Sequence, residues 1–164
     1  MGLLLFSACA NLGEGAPNDG RSTPAPRNDV GAPTDGDYVY APPGECDSPQ
    51  HTYVVHFVND GDTFEIGGGP KIRLLGIDAS EVSTNDCHSA AATDFLSTKL
   101  PQDSLVCLIS DPNGDDVDKF DRWLRYAYVQ TTGGFIQLNA RALRLGHARV
   151  FEGFVRGLRH ESQL

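Results

Sequence analysis

The sequence HTYVVHFVNDGDTFEIGGGPKIRLLGI, residues 51–77, contains three predicted strands separated by two turns. His51–Asn59 is rich in β-branched and aromatic residues, which favour extended backbone. Asp60-Gly61 predicts a tight turn, after which Asp62–Ile66 returns as a second strand. A Gly-Gly-Gly-Pro run then ends the second strand in a turn, and Lys71–Ile77 is the third predicted strand. The segment therefore predicts a three-stranded meander.

The rest of the chain adds two predicted strands and two predicted helices. Apolar residues at helical spacing predict helices over Asp86–Leu100 and Phe135–Leu145, the second ended by Gly146. Strands are predicted at Ser104–Ser110 and Trp123–Thr131. The order is β-β-β-α-β-β-α, and a helix between the third and fourth of five strands is typical of an OB-fold barrel. We expect a mainly β fold with helices (α+β), a five-stranded Greek-key barrel; an open α+β sheet is the alternative.

The first third of the chain differs in composition from the rest. Residues 1–9 form a short apolar run that ends in Cys9 and resembles the end of a bacterial lipoprotein signal. The resemblance predicts export, with the protein either secreted or held at the cell envelope by a lipid on Cys9. Residues 10–45 are mostly Gly, Pro, Asn, Asp, Ala and Thr. That composition buries too little apolar surface to offset its ordering entropy, so we predict a disordered tether. Residues 46–164 are the expected folded domain.

Three cysteines remain in the expected domain: Cys46, Cys87 and Cys107. Export would allow one disulfide, and the sequence leaves all three pairings open. No CxxC pair is present, which argues against a zinc site.

The net charge of −9 is unevenly distributed. Residues 46–121 carry 14 acidic and 4 basic side chains, whereas residues 122–164 carry 7 arginines and 2 glutamates. Such a chain is poorly suited to tight, sequence-specific DNA binding, which usually requires a basic patch. Hydrolysis of nucleic acid remains compatible with this charge, because a metal among the acids lowers their effective charge.

Asp62, Asp78 and Glu81 lie close together in sequence, with Arg73 between them and Arg122 after an acidic loop. Neighbouring carboxylates repel one another unless a cation lies among them. An adjacent guanidinium would suit an anionic substrate bridged to that cation. The pattern predicts metal-dependent phosphodiester cleavage.

Several nearby residues have simpler interpretations. Asp60 is expected to cap its turn rather than bind metal. Thr63 is either a β-strand residue or a support for a metal ligand, and Asp118 and Lys119 belong either to a solvated loop or to a substrate contact. The loop beginning at Asp111 is not an EF-hand, because its sixth residue is Asp and its twelfth is Arg. The histidines show no metal-ligand spacing.

Five segments resemble the thermonuclease family, typified by staphylococcal nuclease, in order and at similar spacing. They cover roughly residues 50–155 and read VNDGDTFEI (58–66), IRLLGIDASE (72–81), DCHSAAATDFL (86–96), DKFDRWLRYAYV (118–129) and LRLGHARV (143–150).

The resemblance implies a calcium-dependent endonuclease acting on single-stranded or flexible DNA and RNA, without sequence specificity, as a monomer that leaves 3′-phosphates. Asp62, Asp78 and the carbonyl of Ala79 would bind Ca²⁺, in preference to Mg²⁺ or Mn²⁺. Glu81 would activate water, and Arg73 and Arg122 would clamp the phosphate. The family's third helix would run past Leu164, so the domain is expected to lack most of it.

Two other functions are compatible with the sequence. One is a catalytically weak or inactive OB-type module that binds nucleic acid. The other is a structural lipoprotein of the cell envelope. Because the two arginines and three acids are all present, we favour the nuclease.

Overall fold

Five strands close into a barrel in a computed structural model that describes residues 44–79, 87–132, 134–151 and 157–158. Two helices and three shorter strands complete the described residues, all within one compact unit. The elements are β1 (Thr52–Val58), β2 (Thr63–Ile66), β3 (Lys71–Leu74), β4 (Ile77–Ala79), α1 (Cys87–Lys99), β5 (Leu105–Ile109), β6 (Trp123–Thr131), β7 (Gly134–Gln137), α2 (Leu138–Arg144) and β8 (Ala148–Val150).

The barrel consists of β1, β2, β3, β5 and β6. β1 pairs antiparallel with β2 and β5, β2 with β3, and β5 with β6. A parallel pairing of β3 with β6, in which Arg73 lies opposite Leu124, closes the cylinder. β7 extends the sheet beyond β6, and β4 and β8 form a separate antiparallel ribbon.

The barrel interior is filled by one side of each strand, because successive side chains of a strand point to opposite faces. In β3, Ile72 and Leu74 are buried in the main apolar cluster, whereas Lys71 is exposed and Arg73 is half-buried. Packing of Ile72 and Leu74 therefore places Arg73 on the outer face. α1 and α2 contribute further buried residues to the same cluster, among them Phe95, Leu96, Leu138 and Ala142.

The predicted architecture is confirmed at the level of a mainly β, α+β fold with a closed five-stranded barrel. A helix separates the third and fourth barrel strands, and β6 has the predicted bounds. Closure of β3 on β6 rules out the open-sheet alternative.

Two predicted elements were wrong in extent. The third strand, predicted to run through Ile77, is divided by a turn in which Gly76 has a φ of 77°, a conformation that favours glycine. The second helix was predicted from Phe135, but that residue belongs to β7 and the helix starts at Leu138. Hydrophobic period alone did not separate a short strand from the helix that follows it. β8 was not predicted.

A disulfide joins Cys46, in the 3₁₀ turn Gly44–Asp47, to Cys107, in β5. This settles one of the pairings left open by the sequence. The described residues begin in this turn, which includes Gly44 and Glu45 of the predicted tether. The segments 1–9 and 10–43 lie outside the described residues, as does any lipid site at Cys9. None of the described helices is long and apolar enough to cross a membrane.

Replacing both Cys46 and Cys107 by Ser should lower the free energy of unfolding by about 2–4 kcal/mol. The cross-link spans 61 residues of sequence, so its loss restores considerable entropy to the unfolded chain. Urea titration of the variant and of the oxidised wild type measures the difference. Equal midpoints would contradict a structural role for this bond.

Candidate active site

The turn between β1 and β2 directs Asp62 inward. The backbone N–H groups of Asn59 and Asp60 donate to the carbonyl of Thr63 at 2.9 and 3.2 Å, and the Asp60 side chain accepts from the Asp62 N–H at 3.0 Å. Asp60 thus caps the turn, as predicted. A Cβ on Gly61 would lie 2.5 Å from that of Ala92 and 2.8 Å from that of Ala79, so only glycine allows this close approach.

Asp62 is buried, and described groups contact both of its carboxylate oxygens. The Thr63 hydroxyl donates to Oδ1 at 2.9 Å, and the Ala79 N–H donates to Oδ2 at 2.7 Å. Arg73 Nη1 forms an ion pair with Oδ2. Thr63 therefore supports the proposed ligand Asp62, which favours the second of its two predicted roles.

Burial raises the pKa of Asp62 to about 6, although the Arg73 charge and the Ala79 N–H both oppose this shift. Neighbouring Asp60 adds to the rise. The positive charge of Arg73 thus does not fully offset the cost of burying the ionised carboxylate.

Arg73 connects Asp62 to Asp78. Its Nη1 pairs with Asp62, and its Nη2 donates to Asp78 Oδ1 at 3.0 Å. On the other side of Asp78, the Nε and Nη2 of Arg149 donate to Oδ2 at 3.1 and 2.8 Å. A single guanidinium therefore holds both predicted metal-binding carboxylates.

Arg122 is connected to this group through Thr63, whose hydroxyl oxygen lies 3.5 Å from Arg122 Nη1. Asp118 anchors the other edge of the guanidinium, since its Oδ2 lies 2.7 Å from both Nε and Nη2. Partial burial raises the pKa of Asp118, but hydrogen bonds from Arg122 and from the N–H of Phe120 outweigh it and lower the pKa overall. Asp118 is therefore an ionised support for Arg122 rather than part of a solvated loop.

A cavity of about 520 Å³ opens beside these residues. Arg73, Asp78 and Arg122 line it together with Asp118 and the exposed ring of Phe120. Two cationic groups lie near the Phe120 ring: Lys119 Nζ is 5.0 Å from the ring centroid, and Arg122 Cζ is 5.3 Å from it. The cavity therefore combines guanidinium groups, a carboxylate and apolar surface.

The structure brings together four of the six predicted site residues by direct contact: Asp62, Arg73, Asp78 and Ala79. Arg122 joins them through one hydroxyl, and Glu81 lies outside the described residues. Ala79 contacts Asp62 through its N–H, whereas the resemblance predicts that its carbonyl binds the metal. Within the described ranges, no group of three or more His, Cys, Asp or Glu side chains is arranged to hold a metal ion.

The acidic loop has a structural role, consistent with the rejection of an EF-hand. Asp111 accepts from the Asn113 N–H at 2.9 Å and from the buried Tyr126 hydroxyl at 2.8 Å. Asp116 pairs with Arg125 at 2.7 Å, and the Arg125 guanidinium lies 4.8 Å from the Trp123 ring.

Arg149 is the site residue that sequence reasoning missed. It faces Asp78 because β8 pairs with β4 in a register that sets the two residues opposite each other. The segment 143–150 resembles the thermonuclease family in sequence, but its pattern did not predict β8. The pairing of strands that are distant in sequence cannot be predicted from a local pattern.

The unfavourable ionisation of Asp62 should appear in the pH dependence of stability. The unfolded carboxyl ionises near pH 3.8, whereas the folded one remains protonated until about pH 6. The stabilising contribution of the Asp62 carboxyl to the free energy of unfolding is complete below the pKa of the unfolded state. It is lost as pH rises through the pKa of the folded state. Relative to Asp62→Asn, wild type should therefore lose about 2–3 kcal/mol between pH 3 and pH 7. Urea unfolding at several pH values measures this, and a constant difference between the two proteins would contradict it.

No protein-family model matches the chain. The chain is 29% identical over 129 residues to the uncharacterized protein MJ1439 of Methanocaldococcus jannaschii, with 64% of this chain and 62% of that protein covered. The chain thus spans less than two thirds of the length of this relative, whose name assigns no activity.

Proposed function

We propose that the chain is a calcium-dependent endonuclease of the thermonuclease type, with an OB-fold barrel, that hydrolyses phosphodiester bonds of DNA and RNA. The observation that carries this proposal is the Arg73 guanidinium bonded to both Asp62 and Asp78 at a cavity that Arg122 also lines. Paired acids suit a bound cation, and two arginines at the same open site suit a phosphate bridged to it.

Two carboxylates and one carbonyl of the proposed site have the oxygen chemistry that calcium prefers. Asp62 and Asp78 supply carboxylate oxygens, and Ala79 follows Asp78 directly and would add its carbonyl. Burial has left Asp62 with a raised pKa, so a nearby divalent charge would favour its ionised form. When bound, calcium would polarise the phosphate and orient water. An oxygen-only set also accepts Mg²⁺ or Mn²⁺, but calcium tolerates irregular geometry better.

Arg73 and Arg122 would bind the non-bridging phosphate oxygens. A planar guanidinium donates two parallel hydrogen bonds to such a group, which matches charge that accumulates during attack. Asp118 holds Arg122 by the Nε and Nη2 edge, which leaves its Nη1 directed toward Thr63 and Asp62. This preorganisation reduces the rearrangement needed when substrate binds.

Glu81, three residues beyond Asp78, would accept a proton from the attacking water. The water oxygen forms a bond to phosphorus while the bond from phosphorus to the 5′ oxygen breaks. The leaving 5′ oxygen takes a proton from solvent, so the products are a 5′-hydroxyl and a 3′-phosphate.

Sequence alone supports the remaining proposals. The chain would be exported and either secreted or held at the cell envelope by a lipid on Cys9, and it would act as a monomer. The substrate would be single-stranded or flexible nucleic acid, recognised through its phosphates. Degradation of extracellular nucleic acid suits that location.

Arg73→Ala and Arg122→Ala should each lower calcium-stimulated cleavage of single-stranded DNA by a factor of 100 or more, about 3 kcal/mol of transition-state stabilisation. Release of acid-soluble nucleotides measures the rate. Lys71→Ala is the matched control, because it removes an exposed charge from the same strand and should retain activity. Circular dichroism verifies folding of each variant.

Two outcomes would contradict the nuclease. Wild type that binds single-stranded DNA without cleaving it in calcium, magnesium or manganese would indicate the binding-module alternative. Variants that cleave at the wild-type rate would show that the active site lies elsewhere.

Asp118→Asn should lower kcat/KM by about tenfold, since the neutral amide accepts weaker hydrogen bonds than the carboxylate that now anchors Arg122. Asp115→Asn is the control, because Asp115 lines the same cavity but makes no described ion pair with Arg122. Steady-state kinetics on an oligonucleotide compares them. Equal effects of the two substitutions would show only a response to net charge.

A further inference from the structure

The ribbon formed by β4 and β8 borders the cavity, which Ile77 and Asp78 of β4 line. Asp78 lies opposite Arg149, and the Phe151 N–H donates to the Gly76 carbonyl at 3.0 Å, which extends the pairing by one residue. Alternate residues of a strand share a face. Arg149 and Phe151 therefore lie on the face of the ribbon that carries Asp78, and Phe151 lines the cavity.

Arg149 is held in place although it is open to solvent. Its side chain is 82% exposed, yet its Nε and Nη2 both bond the same oxygen of Asp78. Exposed arginines usually lose rotamer entropy when they bind a ligand. Here Asp78 already restrains the guanidinium, and no described residue contacts Nη1.

The position of Arg149 relative to Arg73 suggests its ligand. One Asp78 carboxylate separates the two guanidinium groups, since Oδ1 accepts from Arg73 and Oδ2 from Arg149. Asp78 cannot supply all the acceptors that two guanidinium groups require. A polynucleotide has a phosphate on each side of the one being cleaved, and Arg149 lies across Asp78 from Arg73, on the side where a neighbouring phosphate would lie.

We infer that Arg149 forms a subsite for the phosphate adjacent to the scissile one, so that the protein prefers polynucleotides to substrates with a single phosphodiester. This inference rests on the proposed function, because it takes Arg73 as the contact of the scissile phosphate. Arg149 assists binding of the strand and takes no part in proton transfer.

Two substrates test the subsite: a twelve-nucleotide oligothymidylate and the dinucleoside monophosphate TpT, which has no flanking phosphate. Arg149→Gln should lower kcat/KM about tenfold on the oligonucleotide and less than twofold on TpT. In EDTA, the log–log salt dependence of oligothymidylate binding should become shallower by about 0.7, the value for one lost phosphate contact on a single strand. Lys71→Gln is the control and should change neither quantity.

A role for Arg149 in merely positioning Asp78 gives a different result. Arg149→Gln would then weaken calcium binding in calorimetry and slow cleavage of both substrates equally, which would overturn the subsite. An unchanged salt slope would also overturn it. If wild type cleaves neither substrate, the proposed hydrolysis is contradicted. The salt dependence of oligothymidylate binding then decides by itself whether Arg149 contacts nucleic acid.

Discussion

The site depends on one guanidinium placed between two carboxylates. Arg73, in β3, joins Asp62, directly before β2, to Asp78, in β4, and thereby fixes the β1–β2 turn and these two strands relative to one another. Removal of the arginine would leave a buried acid without its strongest favourable charge, which is costly in a medium of low dielectric constant. Arg73 therefore stabilises the local fold and also holds the groups proposed to act in catalysis.

The barrel makes this contact possible through ordinary packing. Ile72 and Leu74 point into the core, so Arg73 must point out, and the parallel pairing with β6 brings Arg122 to the same side. Gly61 lets the preceding turn approach α1 and β4 closely enough for the Ala79 N–H to reach Asp62. Burial of apolar side chains, together with the absence of a side chain at Gly61, thus positions the polar site.

Much of this could be predicted from sequence because it is local. Asp62, Arg73 and Asp78 lie on consecutive strands joined by short turns, and a hydrophobic pattern with turn residues between strands fixes such neighbours. The Cys46–Cys107 pairing, the register of β4 with β8 and the contact of Arg149 with Asp78 join residues that are distant in sequence. These depend on barrel closure, which no local pattern encodes. The turn at Gly76 was missed because Leu75 and Ile77 continue an apolar run typical of one strand.

Local charge balance explains how a chain of net charge −9 could accept an anionic substrate. Two carboxylates that line the cavity, and the buried Asp62 beside them, each have an arginine: Asp78 pairs with Arg149, Asp118 with Arg122, and Asp62 with Arg73. An approaching phosphate would therefore meet paired acids with guanidinium groups between them. Most of the other acidic residues that the structure describes are at least partly exposed, where salt largely screens charges separated by more than about 10 Å. Net charge is accordingly a poor guide to the substrate of this chain, and the pairing within the cavity is a better one.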